Sequence, residues 1–375
     1  MVNVFEGVNG KLGFGCMRLP IRKGKKVDYE EFGKMIDCFL DAGFNYFDTA
    51  HSYMRGQSET GIRDCLTKRY DRSKYILANK LTTFYFEKEE DILPHFHNQL
   101  ESCGVTYFDY YLMHSQSADI YEKYKRCHAY EAALRLKEMG NIRHFGISFH
   151  DRAEVLEKIL KEYPQIEVVQ IQFNYIDYEN VAVQSHRCYE VCQKYGKPVI
   201  VMEPCKGGSL VRLPEDAQMI FDELSNGSNA SYALRFAAGF DNVHMVLSGM
   251  SNIQQLKDNV SSMRNSVPLS EKEHEAIKKI QNIFARKDFI QCTACRYCID
   301  QCPQKISIPD LFACLNAKQQ FHNWNQDYYY NVAYTSSGGK ASSCISCGKC
   351  EESCPQHLPI RELLIAVAKE FERKR

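Results

Sequence analysis

The sequence predicts an α/β fold in which a closed barrel of eight parallel strands, each followed by a helix, precedes a smaller cysteine-rich domain. Three observations predict it. Short apolar runs alternate with amphipathic stretches eight times through residues 12–263. The turn after the first run lacks the Gly-x-Gly-x-x-Gly pattern expected of an open doubly wound sheet, because Arg18 stands at the third glycine position. Residues 292–375 hold nine of the chain's 17 cysteines.

The eight predicted strands are short apolar runs of a length suited to a buried parallel sheet. They are Leu12–Cys16, Phe44–Phe47, Tyr75–Asn79, Tyr110–Met113, His144–Ile147, Val168–Ile171, Val199–Met202 and Val243–Leu247.

The eight predicted helices follow these strands one by one. They are Asp28–Ala42, Glu59–Lys68, Glu87–Cys103, Tyr121–Met139, Arg152–Lys161, Asn180–Tyr195, Ser228–Ala238 and Ile253–Met263. Asp28 is a suitable N-terminal cap, and Gly43, Gly140 and Gly196 are suitable C-terminal stops.

Composition excludes several classes of function. Lys plus Arg and Asp plus Glu are both 47, so the zero net charge gives a nucleic acid no general electrostatic attraction. The mean hydropathy of −0.42 and the short apolar runs predict no membrane span. The first residues carry no secretory signal pattern, so we expect a cytoplasmic protein with reduced thiols. The cysteines are therefore expected to be metal ligands, catalytic groups or core residues.

Eight of the cysteines form two copies of one spacing, Cys-x-x-Cys-x-x-Cys-x-x-x-Cys-Pro. The first copy is Cys292, Cys295, Cys298 and Cys302, and the second is Cys344, Cys347, Cys350 and Cys354. This spacing is typical of proteins with two [4Fe–4S] clusters, in which the fourth cysteine of each run binds the other cluster. We therefore expect Cys354 to complete the first site and Cys302 the second. Zinc is the alternative, although a zinc site has no need of the third cysteine.

The long segment between the two cysteine runs predicts a mostly helical, ferredoxin-like domain. A helix is expected from Ser307, with Pro309 in its first turn, and another from Ile360 to the end. The ninth cysteine, Cys314, is expected to be a buried helix residue. The predicted organisation is a barrel over residues 1–265, a connector over 266–287 and the two-cluster domain over 288–375.

Polar side chains at three consecutive strand ends predict the chemistry. Asp48 and Tyr53 follow the second strand, Lys80 follows the third and His114 the fourth. Side chains at the carboxyl ends of barrel strands converge on one mouth, where the active sites of such barrels lie. Reduction of a carbonyl needs a proton donor, and a nearby ammonium group is expected to lower the pKa of the tyrosine hydroxyl. The histidine would orient the carbonyl oxygen.

These residues resemble the catalytic tetrad of the aldo-keto reductases, which are (β/α)8 TIM-barrel enzymes. The resemblance spans about residues 8–265. It includes four further stretches, which are Gly13–Pro20, Arg143–Ser148, Gln170–Asn174 and the pattern from Ser248 to Asn259. With the cysteine runs, the chain is similar to the iron–sulfur-containing branch of that family.

The resemblance implies that Tyr53 is the general acid and that a nicotinamide cofactor, NADP or NAD, binds beside it. The implied cofactor contacts are Ser148, Gln170, Gly249, Gln255 and Asn259. Two features depart from the family. Met202-Glu203-Pro204 stands where an aromatic residue usually stacks on the nicotinamide, and the loop from Gly249 to Gln255 lacks the Lys or Arg that would pair with a 2′-phosphate.

The two halves predict a redox enzyme that reduces a carbonyl or related small molecule at the barrel mouth. A nicotinamide delivers two electrons and a cluster one, so electrons would come from the nicotinamide, from the clusters, or from both through a flavin. The alternative is an electron-transfer protein that works with a redox partner protein, and in which the barrel is a scaffold or a flavin-binding module. A third class of function is a structural domain in which the bound metal serves only to stabilise the fold.

Four other features have two readings each. His51 would contact substrate or belong to a loop, and Cys205 would approach the ligand or fill the core. The aromatic runs Phe84–Phe86 and Tyr328–Tyr330 would line a substrate pocket or pack at a domain interface, with the interface favoured.

Overall fold

The computed structural model describes most of the chain. The described ranges are residues 4–22, 26–180, 183–224, 227–264, 267–285, 289–290, 292, 296–321, 324–336, 338–354 and 357–372. Both predicted domain boundaries, 265/266 and 287/288, fall on residues outside these ranges and stay predictions. Within the described part of the chain, no helix is long and apolar enough to cross a membrane.

Ten strands are described, of which eight close into the predicted parallel barrel. They are β1 (Leu12–Gly15), β2 (Ile21–Arg22), β3 (Lys26–Val27), β4 (Tyr46–Asp48), β5 (Ile76–Leu81), β6 (Phe108–Gln116), β7 (Ile142–Phe149), β8 (Val168–Gln172), β9 (Val199–Met202) and β10 (Val243–Ser248). The barrel order is β1-β10-β9-β8-β7-β6-β5-β4, and β1 also pairs with β4 to close the ring. Strands β2 and β3 form a small antiparallel hairpin.

The barrel interior is filled by side chains, as expected of a packed core rather than a pore. Tyr46, Tyr110 and Met245 are among its buried members. The N-terminal segment covers the end where the strands begin: Tyr110 donates a hydrogen bond to the Val4 carbonyl oxygen at 2.6 Å, and the Phe5 ring lies 5.7 Å from the Tyr110 ring. The other end of the barrel, where the strands finish, is left for the site.

The helices surround the barrel as the sequence predicts, except for one break in a predicted helix and two further helices. Cys127 and His128 divide the predicted helix Tyr121–Met139 in two, and His128 has a φ of 50°. A further helix, Glu215–Asp222, follows β9. The predicted connector contains a helix whose Ile277 and Ile280 are buried in the barrel's outer core, and whose Glu273 pairs with Arg235 at 2.7 Å.

The helix bounds complete the description of the barrel and of the cysteine-rich domain. Around the barrel they are α1 (Tyr29–Asp41), α2 (Gln57–Ile62), α3 (Ile92–Cys103), α4 (Ala118–Arg126), α5 (Ala129–Glu138), α6 (Ala153–Glu162), α7 (Ser185–Lys194), α8 (Glu215–Asp222), α9 (Asn229–Ala238), α10 (Ile253–Arg264) and α11 (Glu271–Ala285). In the cysteine-rich domain they are α12 (Tyr297–Asp300), α13 (Ile308–Phe321), α14 (Asn325–Tyr328), α15 (Lys349–Glu352) and α16 (Ile360–Phe371).

The cysteine-rich domain has its own apolar core. Helices α13 and α16 supply most of it, including Leu311, Phe312 and Val367. Tyr330 stacks on Phe371, with ring centroids 4.6 Å apart. The predicted helical character of this domain is confirmed.

Candidate active site

The four residues of the predicted catalytic set meet at the carboxyl end of the barrel. Asp48 ends β4, Lys80 lies in β5 and His114 in β6, while Tyr53 begins a 3-10 turn that follows β4. The Lys80 ammonium group lies 2.6 Å from Asp48 Oδ1 and donates to the Thr49 carbonyl oxygen at 2.9 Å. Both members of this ion pair are almost fully buried.

Tyr53 lies between the lysine and the histidine. Lys80 Nζ is 4.8 Å from the centroid of the Tyr53 ring, close enough for its charge to act on the hydroxyl group. The His114 ring meets the Tyr53 ring edge to face, with centroids 5.8 Å apart. Met54 and Arg55 follow with φ values of 50° and 58°, so a strained turn holds the tyrosine in place.

The pKa of Tyr53 differs from the sequence-based expectation. Burial raises the pKa of Tyr53 to about 12, although the Lys80 ammonium group acts to lower it. Part of the Tyr53 side chain faces the cavity rather than open solvent, and desolvation of the charged form outweighs the nearby cation there. Lys80 therefore acts in the expected direction, but burial outweighs it, so the pKa is raised overall and Tyr53 keeps its proton near neutral pH.

The buried ion pair keeps the lysine charged. Burial alone would lower the pKa of Lys80, but the charge of Asp48 and the Tyr53 hydroxyl reverse this and leave it raised. Burial also raises the pKa of Asp48, and Lys80 opposes that shift. Asp48 Oδ2 is buried and has no hydrogen-bond partner among the described residues.

His114 is neutral in this environment. Burial, reinforced by the charge of Lys80, holds the pKa of His114 well below its usual range. Its Nδ1 is 2.7 Å from the Thr82 hydroxyl oxygen. Its Nε2 has no hydrogen-bond partner among the described residues, so a neutral ring nitrogen is left for a ligand in the cavity.

A buried polar network supports the strand that carries Lys80. Asn79 donates to Glu59 at 2.9 Å, and its own side-chain oxygen accepts from the Lys80 backbone N–H at 2.8 Å. His51 contacts Glu59 at 2.5 Å and does not line the cavity. The reading of His51 as a supporting loop residue therefore fits the structure better than the reading as a substrate contact.

Two implied cofactor contacts, Ser148 and Gln170, lie in the cavity wall at the ends of β7 and β8. The Ser148 hydroxyl accepts a hydrogen bond from the Ser115 backbone N–H at 3.1 Å. Gln170 Oε1 is buried and has no hydrogen-bond partner among the described residues. This oxygen is suited to accept from a ligand amide.

The other three implied contacts, Gly249, Gln255 and Asn259, also line the cavity. The side chains of Gln255 and Asn259 are already hydrogen-bonded to neighbouring residues of the chain. Gln255 accepts from the Ser251 backbone N–H at 2.8 Å, and Asn259 donates to the Ser248 hydroxyl at 2.7 Å.

The side chain of Glu31, a residue of α1, contacts the first turn of α10. The Ile253 backbone N–H, at the N-terminus of that helix, donates to Glu31 Oε1 at 3.1 Å. A helix N-terminus favours negative charge, and here a carboxylate of the protein already lies against it. Sequence reasoning missed this contact because 222 positions separate the two residues.

The cavity at the barrel mouth has a volume of about 1280 Å³ and is walled by both domains. The cysteine-rich domain contributes the segment Trp324–Val332, which we call the mouth segment. Trp324, Asn325, Tyr328 and Tyr329 line the cavity, and Phe84 lines it from the barrel. Tyr330 instead packs in the core of its own domain. The aromatic runs therefore serve as pocket wall and domain interface together.

Hydrogen bonds fasten the mouth segment to the ends of several strands. Asn325 donates to Glu203 Oε1 at 2.5 Å. The Tyr329 hydroxyl donates to the Gln172 side chain and lies 3.0 Å from His150 Nδ1. Sequence reasoning identified neither Asn325 nor the contact partners of Tyr329, since no spacing pattern links residues so far apart.

The cysteines of the predicted second cluster face one another. Cys302, from the first run, lines a small cavity together with Cys344, Cys347 and Cys350. The crossed-ligand prediction assigns these four cysteines to one cluster. No group of three His, Cys, Asp or Glu side chains in the described ranges is arranged to hold a single metal ion.

The cysteines of the predicted first cluster are described in part. Cys298 is buried in the core of the domain, and Cys292 and Cys354 pack against that core. Cys295 lies outside the described residues. Cys314 is buried on α13 as expected, and burial raises the pKa of its thiol well above the usual range. Cys205 is part of the cavity wall and also packs against the barrel's outer core.

A closed (β/α)8 barrel with this group of side chains at its mouth defines a barrel oxidoreductase. Residues 11–282 match the aldo/keto reductase family, and residues 291–358 match a 4Fe-4S dicluster domain. The chain belongs to the aldo/keto reductase family and carries an iron–sulfur domain. The predicted family, fold class and enzyme class are confirmed.

Individual relatives agree with this assignment. The chain is 25% identical over 304 residues to the uncharacterized oxidoreductase YqkF of Bacillus subtilis, covering 72% of this chain and 91% of that protein. The solved aldo-keto reductase AKR11C1 of Bacillus halodurans, in its holo form, is 28% identical with a TM-score of 0.58, over 72% of this chain and 91% of that one. A Klebsiella pneumoniae aldo-keto reductase in complex with NADPH has the same fold, at 16% identity and a TM-score of 0.58, over 72% and 90% of the two chains.

Proposed function

We propose that this enzyme reduces the carbonyl group of a small molecule bound at the barrel mouth, with Tyr53 as the proton donor. One observation carries the proposal: a protonated tyrosine and a neutral histidine line a large cavity, and a charged, fully buried lysine lies behind the tyrosine. A carbonyl oxygen that accepts hydrogen bonds from Tyr53 and His114 would develop its negative charge beside two polarised donors.

The proton transfer is supported by the residues behind the tyrosine. As Tyr53 gives up its proton, the charge of the Lys80 ammonium group, 4.8 Å from the ring centroid, stabilises the phenolate that forms. The Asp48 carboxylate, whose Oδ1 lies 2.6 Å from Lys80 Nζ, keeps Lys80 charged. The mouth segment covers the cavity from the side of the second domain and limits the entry of water.

The residues present fit the nicotinamide end of a cofactor. Gln170 Oε1 and Asp48 Oδ2 are buried polar atoms without a partner among the described residues, and Gln170 would accept from the carboxamide. When bound, the nicotinamide supplies a hydride. The chain's residues would orient the nicotinamide, and Tyr53 would deliver the proton to the carbonyl oxygen.

The residues fit a 2′-phosphate poorly. The Ile253 N–H at the α10 N-terminus already donates to the Glu31 carboxylate, and the loop before this helix has no Lys or Arg. A phosphate placed at this helix end would meet the like charge of the Glu31 carboxylate. We therefore propose that the enzyme prefers NADH to NADPH, in contrast to the NADPH-bound Klebsiella pneumoniae protein.

We propose that the cysteine-rich domain holds two [4Fe–4S] clusters with crossed ligands. Cys302 would join Cys344, Cys347 and Cys350, whose shared cavity supports this grouping. Cys354 would complete the site of Cys292, Cys295 and Cys298. The clusters supply single electrons when bound. A flavin between clusters and nicotinamide stays a prediction.

The Tyr53→Phe variant tests the catalytic proposal. Loss of the proton donor should lower kcat for the NADH-dependent reduction of 4-carboxybenzaldehyde or another aldehyde by about 10²- to 10⁴-fold. Tyr195→Phe is a matched control, because the Tyr195 hydroxyl bonds to Glu157 on the outside of the barrel at 2.9 Å. A Tyr53→Phe variant with the rate of the unchanged protein would refute the assignment.

Binding and metal analysis separate the remaining alternatives. If neither NADH nor NADPH raises the thermal stability of the barrel, the electron-transfer alternative is favoured. Iron and acid-labile sulfide should each approach about eight per chain for two cubanes. Zinc in their place would contradict the cluster proposal.

A further inference from the structure

We propose that Arg18 is an oxyanion-binding residue of the barrel-mouth cavity, which anchors a carboxylate or phosphate group of the bound ligand. The proposal rests on the proposed function only in placing the ligand in this cavity. Arg18 lies in the cavity wall, three residues beyond the end of β1. Its Nη2 atom is buried and has no hydrogen-bond partner among the described residues.

The surroundings hold the guanidinium group in position. The Ser251 hydroxyl donates to the Arg18 carbonyl oxygen at 2.9 Å, which ties the backbone to the loop after β10. A Cβ placed on Gly249 would lie 3.7 Å from Arg18 Nη1, so the side chain runs along that loop. Trp324 of the mouth segment lies on its other side, with the ring centroid 6.0 Å from Cζ. The aromatic face stabilises the cation without using its N–H donors.

Arg18 forms no ion pair with any carboxylate of the described residues. Glu203 is near enough for Arg18 to lower its pKa, although burial raises that pKa overall. The Glu203 carboxylate, however, accepts from Asn325 at 2.5 Å. The neighbouring cation Lys206 is paired with Asp177 at 2.5 Å. Arg18 is therefore the cation of this region that lines the cavity and has a donor atom without a partner among the described residues.

The chemistry of the donor defines the ligand class. A buried N–H donor of a charged group is unfavourable without an acceptor, so a ligand that supplies one gains affinity. The planar guanidinium group matches the paired oxygens of a carboxylate or a phosphate. Such oxygens have two sources in this cavity: a carboxylate on the substrate, or the pyrophosphate of a dinucleotide.

The experiment uses the chain's single tryptophan, Trp324, as the reporter. Anaerobic titrations of the full-length protein with its clusters follow Trp324 fluorescence and give Kd from the midpoint. Inorganic pyrophosphate and NADH probe the phosphate source. The pair 4-carboxybenzaldehyde and benzaldehyde probes the carboxylate source. The variants are Arg18→Met, Arg18→Lys and the control Arg187→Met, whose arginine lies on α7 and pairs with Glu154.

Arg18→Met is expected to weaken binding of at least one oxyanion probe by about tenfold or more, the loss typical of a hydrogen bond to a charged group. Benzaldehyde binding and the Arg187→Met control should change by less than about twofold. Arg18→Lys keeps the positive charge but loses the paired N–H donors of the guanidinium group. Its affinity for the oxyanion probes should lie between those of Arg18→Met and the unchanged protein. Weakening confined to pyrophosphate and NADH identifies the dinucleotide, and weakening confined to 4-carboxybenzaldehyde identifies the substrate.

The proposal is overturned if Arg18→Met binds every oxyanion probe as the control does, or if no oxyanion probe gives a saturable response with the unchanged protein. A second measurement needs no variant. Phenylglyoxal modification of Arg18, followed by peptide mass spectrometry, should be slowed by the probe that binds, and equal labelling with and without probe would contradict the site. If the catalytic proposal fails, Tyr53→Phe will reduce substrate at the rate of the unchanged protein. The Arg18 titrations do not depend on that result.

Discussion

The Tyr329→Phe substitution tests whether the mouth segment is held on the barrel by specific hydrogen bonds. The Tyr329 hydroxyl donates to Gln172 Oε1 and lies 3.0 Å from His150 Nδ1. Gln172 is only 6% exposed, and its amide N–H already bonds to Asp177 at 2.7 Å. The variant therefore leaves the Gln172 oxygen buried without a donor.

The magnitude follows from that orphaned oxygen. A buried acceptor left without its partner destabilises the structure by about 1 to 3 kcal/mol. Because the contact fastens a single segment, we expect the loss to appear as local opening rather than as global unfolding. This free energy of about 1 to 3 kcal/mol corresponds to an increase in the open population of about 5- to 150-fold, which should be largest in the mouth segment.

Native-state hydrogen exchange with mass spectrometry measures this directly. Peptides from the mouth segment should exchange faster in Tyr329→Phe, while peptides from α16 serve as an internal reference. The Tyr195→Phe variant, which removes a hydroxyl on the barrel exterior, should leave the mouth segment unchanged. Exchange in the mouth segment that matches the unchanged protein would refute the view that this hydroxyl anchors the segment.

Three further predictions address cofactor choice, protonation and cluster ligands. Glu31→Gln should improve NADPH affinity relative to NADH by about threefold or more in calorimetric titrations, because a like charge leaves the α10 N-terminus; an unchanged ratio would contradict the proposed preference. The rate of carbonyl reduction should be flat from about pH 6 to 9, since the raised pKa of about 12 keeps Tyr53 protonated and the lowered pKa keeps His114 neutral, so an inflection near pH 6.5 would oppose this. Cys302→Ser should remove about half of the iron, whereas Cys314→Ser should retain it, and equal iron in both variants would disprove the ligand assignment.

Much of the barrel is predictable from sequence because its signals are local. The predicted strand Val199–Met202 has the observed bounds, and the others agree within a few residues, as for Tyr110–Met113 inside the longer β6. Residues at strand ends converge by topology alone, so Asp48 and Lys80 could be brought together without coordinates. The break between α4 and α5 was missed because His128 adopts its positive φ without a glycine signal.

The unpredicted features depend on burial or on distant contacts. A sequence identifies Lys80 as a cation near Tyr53, but it does not give the desolvation that raises the pKa of the tyrosine above its usual value. The contact of Asn325 with Glu203 joins residues 122 positions apart, each in a segment whose own pattern indicates nothing of the other. Such pairings are set by how the second domain packs on the barrel.

That packing links the two redox parts of the molecule. The mouth segment contacts the ligand cavity through Tyr328 and Tyr329, and Tyr329 stacks on Tyr334 with ring centroids 6.0 Å apart. Tyr334 in turn packs against the core that contains Cys298. A ligand that orders the mouth segment must therefore favour the docked arrangement of the cysteine-rich domain. By thermodynamic reciprocity, any change that stabilises this docked arrangement must strengthen the binding of that ligand by the same factor.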